Sequence, residues 1–182
     1  MKKLSISAIL AFLAIFIVEI PPCLSQVAEI AGKDSRFLQG IPDHFRRQID
    51  EVIPAKVFVN PRKPRKLLVV NYCIRDRKVT SLHASVPYAN YAIWQMGERT
   101  GAFETWFTDD TLVFHQDRLF DFDAIVLNNT VGVLFEDPVA RQRLLDYVYS
   151  GRGIMGIHGG AGATFVQYPV YDQFPQFGEM MG

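Results

Sequence analysis

Two histidines lead the residues of this chain that could do chemistry. His158 stands in Gly156-Ile157-His158-Gly159-Gly160, directly after an apolar run. The form small-x-His-x-small after a strand is the strand-to-turn geometry of a nucleophile elbow, in which a sharp turn lifts one side chain above the sheet. The glycines permit the turn and let a ligand approach the backbone. The run Gly159-Gly160-Ala161-Gly162-Ala163 offers successive N–H groups to an anion or oxyanion. No Lys-Ser or Lys-Thr follows it, which excludes a Walker-type phosphate loop. Taken alone, so short a pattern more often marks a glycine-rich turn with a hydrogen-bonded histidine.

His83 is the second candidate. It follows Asn71-Tyr72-Cys73 and the polar loop Arg75-Asp76-Arg77-Lys78. Imidazole titrates near neutrality and, when neutral, binds zinc. His83 and His158 are therefore candidate catalytic acid/base residues and candidate ligands of a divalent metal such as zinc. Such a site needs three or four protein ligands, and Glu136 is a candidate third. Asn128, Asn129 and Thr130 close another apolar run and, with Gly159 and Gly160, are the candidate substrate-binding residues. Asn128-Asn129-Thr130 is also a glycosylation sequon, but a strand end facing a cleft is a poor place for an attached sugar. His44 and His115 are assigned to the surface. Cys73, single and flanked by apolar residues, reads as buried.

The elements that must position these residues alternate between strand and helix. Leu67–Val70, Phe103–Phe107, Ala124–Leu127 and Gly153–Ile157 read as strands. Leu67–Val70 and Ala124–Leu127 are continuous apolar runs, as doubly covered parallel strands require. A helix opened by Ser85-Val86-Pro87 carries Ala89, Ala92, Ile93 and Met96 on one face and is closed by Gly101. A second, opened by Asp137-Pro138, carries Ala140, Leu144, Leu145 and Val148. The pattern predicts an α/β fold: an open parallel sheet with helices on both faces and flavodoxin-like strand order. In such sheets ligands collect outside the carboxyl ends of the strands, which is where His158, His83 and the asparagines fall.

Ahead of the sheet, residues 26–65 read as a lead-in and linker rather than core. A short helix runs from Pro42 through Phe45, Ile49 and Ile53. Pro54 stops it, and Asn60-Pro61-Arg62-Lys63-Pro64-Arg65-Lys66 is an extended, solvated stretch. Residues 1–25 have the layout of a secretory signal peptide: Lys2-Lys3, the apolar run Leu4–Val18, then Pro21-Pro22 and a Cys23-Leu24-Ser25 cleavage site. They predict a secreted or periplasmic protein with no stable membrane span after cleavage. The 182-residue chain has a formal net charge of zero and 49% hydrophobic residues. That composition is globular and argues against the basic face a nucleic-acid binder needs.

The segments Lys63–Val69, His83, Met96-Gly97, Thr100–Glu104, Phe122–Thr130 and Gly151–His158 together resemble the ThuA-like (trehalose-utilisation) family, in order and spacing, from about residue 63 to the end. The resemblance implies a class I glutamine amidotransferase-like fold for residues 66–182. It implies no amidotransferase activity, since His158 stands where the elbow cysteine would be. It also implies a link to the metabolism of trehalose or oxidised disaccharides, and so a small-molecule sugar as partner. Two departures follow. The family often reads His-Ala-Ala-x-Asp at the elbow, and here the carboxylate is absent. The family also continues past the equivalent of Gly182, so the domain is expected to be incomplete at its C-terminus.

Two functions stay open at this level. The first is a sugar-processing hydrolase, lyase or isomerase. The second is a non-catalytic carbohydrate-binding or scaffold module that stacks sugars on Tyr168, Tyr171, Phe174 and Phe177. Assembly into a homo-oligomer is compatible with both.

Overall fold

The computed structural model describes residues 27–32, 36–75, 78–79, 83–132, 134–162, 165–167, 170–172 and 174–182. The signal-peptide reading of residues 1–25, and Asp76, Arg77 and Tyr168, lie outside them. The regular elements are α1 (Asp43–Val52), β1 (Lys66–Val70), β2 (Ile74–Arg75), β3 (Lys78–Val79), α2 (Val86–Thr100), β4 (Glu104–Thr108), β5 (Ala124–Asn128), α3 (Pro138–Tyr149), β6 (Gly153–Ile157), β7 (Phe165–Gln167), β8 (Val170–Asp172) and α4 (Pro175–Met181).

Among the described residues, the central sheet has four strands in the order β4-β1-β5-β6, and every neighbouring pair is parallel. Ranked by position in the chain this is 2-1-3-4, the flavodoxin-like order that the strand and helix pattern predicts. Two antiparallel pairs, β2 with β3 and β7 with β8, form separate two-stranded sheets.

Alternation along the strands sends side chains to opposite faces, and both faces are covered. Leu68, Val70, Ile125 and Leu127 pack with Ala140, Leu144 and Tyr147 of α3 and with Phe114 and Phe135. Val69, Phe107 and Val126 pack with Ile93 of α2 on the other side. Burial on both faces is what makes these strands read as unbroken apolar runs. The helix ends follow their local chemistry. Asp137 accepts a hydrogen bond from Val139 N at 2.6 Å, and Pro138 occupies the first turn of α3. Gly101 takes the left-handed conformation (φ 63°) that ends α2. Ser85 precedes α2 without a side-chain capping bond.

The lead-in is part of the core. Phe37 and Leu38, in a short 3-10 turn, pack with Val69, Ile93, Phe107 and Val126. Ala31 and Phe107 exchange backbone hydrogen bonds, each of 2.8 Å, and so cover the β4 edge. Reading this segment as separate from the core is corrected for a simple reason: a three-residue turn is too short to show a period. Helix α1 forms where its four-residue spacing predicts, yet none of its residues is fully buried.

The basic stretch is likewise tied down. Lys63 Nζ lies 2.8 Å and Arg65 Nη1 2.9 Å from Asp123 Oδ1, and Lys66 N donates to Asp123 Oδ2 at 3.0 Å. Lys63, the Lys66 N–H and Arg65 hold the Asp123 carboxyl well below the usual carboxylate range. The other edge of the sheet is β6. There Met155 is half exposed at 49%, and α4 lies against the strand so closely that a Cβ on Gly156 would stand 2.8 Å from Met181 Cε.

Candidate functional site

The chain leaves β1 towards β4 on one side and later returns to β5 on the other. The carboxyl ends of β1 and β5 are therefore the point where strand order reverses, the usual ligand position in such sheets. Asn71 follows β1, Asn128 ends β5, and His158 follows β6, which pairs with β5.

His158 opens a 3-10 turn, His158–Gly162, with its own backbone in the left-handed region at φ 51°. That conformation is uncommon for a residue with a side chain and persists where the surroundings over-determine it. Asn129, just after β5, has φ 53°. Its N–H donates to Ile157 O at 3.0 Å, which locks the two turns together. His83 arrives from the other direction, in the approach to α2, where its carbonyl accepts from Val86 N at 3.0 Å. The two rings meet edge to face, with centroids 5.6 Å apart and planes at 84°. His158 is exposed and His83 half-buried, so the pair is open to solvent on one side. His44, by contrast, sits on α1 against Phe45, ring centroids 4.2 Å apart, and His115 ends the turn Thr111–His115.

The asparagines lie beneath this pair rather than on its surface. Asn71, Asn90, Asn128, Asn129 and Thr130 are all buried. Asn128 Nδ2 reaches Asn90 Oδ1 at 2.8 Å, Asn71 Oδ1 at 3.1 Å and Val86 O at 3.3 Å. Asn129 Nδ2 donates to Asn128 Oδ1 at 2.7 Å, and Asn90 Nδ2 donates to Phe37 O at 3.2 Å. Asn128 has no exposed side-chain surface, so in the folded chain its sequon is closed. Asn90 is absent from the sequence-based candidates because it falls inside a helical stripe. The buried line of α2 runs Val86, Asn90, Ile93, Gly97, and an amide in the middle of that line was the available signal. Asn71 Nδ2 and Thr130 Oγ1 have no hydrogen-bond partner among the described residues, which leaves buried polar capacity at this end of the sheet unused.

The glycines have a packing reason of their own. A Cβ on Gly159 would stand 2.8 Å from Thr130 O, and one on Gly160 would collide with the carbonyl of Leu127. The turn after β6 is thus pressed onto the end of β5, and only glycine fits. Cys73 is buried beside this region, where it pairs in a β-bridge with Val131. Among the described residues no group of three or more His, Cys, Asp and Glu side chains gathers to hold a metal, and Glu136 does not join the histidines. The donor set in view stops at two imidazoles, short of a structural or catalytic zinc site.

The aromatic stretch near the end of the chain is corrected in part. Phe174 and Phe177 are 2% and 0% exposed and belong to the core. Their rings lie 6.0 Å and 5.7 Å from that of Phe135, so they present no face to a sugar. No helix among the described residues is long and apolar enough to cross a membrane.

Comparison with known proteins fits this architecture. The family described as ThuA, trehalose utilisation, matches residues 72–182, which include both site histidines, the asparagine-rich end of β5 and the turn after β6. No curated protein and no solved structure matches the chain. With more than half of its length matched and a flavodoxin-like, amidotransferase-like parallel sheet beneath the match, the chain belongs to the trehalose-utilisation (ThuA) family.

Proposed function

We propose that this protein handles a disaccharide of the trehalose class outside the cytoplasm, with His83 and His158 as a paired general acid and base at the mouth of the sheet. The observation that carries the reading is the edge-to-face contact of the two rings at 5.6 Å, with one ring presented from a left-handed backbone. A neutral imidazole can take a proton from a sugar hydroxyl while its protonated neighbour donates to a carbonyl or glycosidic oxygen. The elbow holds an imidazole instead of a thiol or hydroxyl, so acyl transfer by a nucleophile at that position is not the chemistry proposed. Export rests on Lys2-Lys3 and the apolar run Leu4–Val18 at the start of the chain.

The test is turnover of trehalose, its 3-keto form and other disaccharides by the full chain and by His158→Ala, with metal content measured alongside. General acid/base work contributes about 10²–10⁴-fold, and a loss of that order is expected. Equal turnover by the variant removes His158 from the mechanism.

A further inference from the structure

We propose that Asn128 is a positioning residue: its single side-chain amide ties the helix start that carries His83 to the strand end that carries His158, and so sets the separation of the two imidazoles. The inference rests on the paired-histidine reading above and deepens it.

The geometry is asymmetric in a telling way. The Asn128 backbone belongs to β5 and is registered with Ile157 of β6, the residue before His158. The next residue, Asn129, donates its N–H to Ile157 O at 3.0 Å. The Asn128 side chain points the other way, into α2. It reaches Asn90 Oδ1 in the second turn at 2.8 Å and Val86 O in the first at 3.3 Å. Val86 N in turn bonds to His83 O at 3.0 Å. One buried residue therefore has a short path to each histidine.

The direction of the amide is also determined. Phe37 O can only accept, so Asn90 turns its NH₂ to Phe37 and its oxygen to Asn128. Asn128 must then offer its NH₂ to Asn90 and its oxygen to Asn129. The chain Asn129, Asn128, Asn90, Phe37 donates in one sense throughout. The Asn128 NH₂ has two hydrogens for three acceptors, Asn90 Oδ1, Asn71 Oδ1 and Val86 O. The preceding residues of β5, Ile125 to Leu127, are buried and apolar, but an apolar side chain at 128 alone would strand the buried Asn90 Oδ1, Asn71 Oδ1 and Asn129 Nδ2. A satisfied buried polar network gives one defined geometry.

The experiment uses the full chain with labelled histidine and asparagine, observed by NMR. In the wild type, a cross-peak between the His83 and His158 rings, ring-current-shifted imidazole protons and slow exchange of the Asn128 NH₂ are expected. In Asn128→Ala that still melts cooperatively, loss of the inter-ring cross-peak and a shift of both imidazoles towards free-histidine positions are expected. Asn128→Asp keeps the shape but sets oxygen against the oxygens of Asn90 and Asn71, and it should show the same loss. Thr105→Val, a buried change on β4, should leave the histidine signals unmoved. Asn90→Ala serves if Asn128→Ala fails to fold. An intact cross-peak in either folded variant, or free exchange of the wild-type Asn128 NH₂, overturns the proposal. Collapse of the fold in both Asn128→Ala and Asn90→Ala also overturns it, since the network would then act on stability alone. Absence of the cross-peak in the wild type instead defeats the paired-histidine reading itself.

Discussion

His158 faces His83 edge-on, ring centroids 5.6 Å apart, from a backbone held in the left-handed region. A left-handed residue with a side chain is strained by roughly 1–2 kcal/mol relative to glycine. His158→Gly is therefore expected to be more stable than His158→Ala by about 1 kcal/mol, although both lose the imidazole. Urea denaturation of the two variants measures the difference, and equal midpoints would show that the turn carries no strain.

The turn after β6 should tolerate no added carbon at Gly160. A Cβ there collides with the Leu127 carbonyl, so Gly160→Ala forces the backbone of β5 and the turn apart. Overpacking of this kind destabilises by roughly 1–3 kcal/mol or more. At Gly101 a Cβ meets nothing within 4 Å, although φ is +63°. Gly101→Ala should cost only about 1 kcal/mol, from backbone conformation. Thermal melts of the pair test the contrast.

Strand positions were legible in the sequence because β1, β5 and part of β6 are continuous apolar runs between helices. Asp137 and Gly101 marked helix ends correctly because each acts through its own side-chain or backbone chemistry. The meeting of His83 and His158 was legible because His158 directly follows β6 and the connection from β1 leads to His83, and β1 and β6 end at the same rim of a parallel sheet. The asparagines were misplaced in depth. Sequence put Asn128, Asn129 and Thr130 at the mouth, whereas their side chains turn inward and are buried. Which way a side chain turns at a strand end depends on partners such as Asn90 and Phe37, distant in the chain. The core role of Phe37 was hidden for the same reason.

Phe37 lies before the segment read as the start of the domain, yet it is 7% exposed and stacked on Phe107 with centroids 5.9 Å apart. Phe37→Ala is expected to cost about 3–5 kcal/mol. A midpoint change below about 0.5 kcal/mol, the size of an ordinary surface substitution, would show that the lead-in does not contribute to the fold.

Asp123 gives the fold a defined acid dependence. Lys63, the Lys66 N–H and Arg65 lower its folded pKa. Its contribution is therefore complete above the unfolded value of about 4 and is lost as pH falls through the lower folded value. Asp123→Asn should be less stable than the wild type at neutral pH by roughly 1 kcal/mol, with the gap closing in strong acid. Urea midpoints between neutral pH and strong acid check it, and a gap that does not close would remove Asp123 as the cause.

Whether His83 and His158 work as one site is decided by a double-mutant cycle on disaccharide turnover, with His83→Ala, His158→Ala and the pair. Residues that act as a unit are strongly non-additive, so each single variant should lose nearly as much as the double. Losses that simply multiply would contradict the claim, as would a wild type no faster than the double variant.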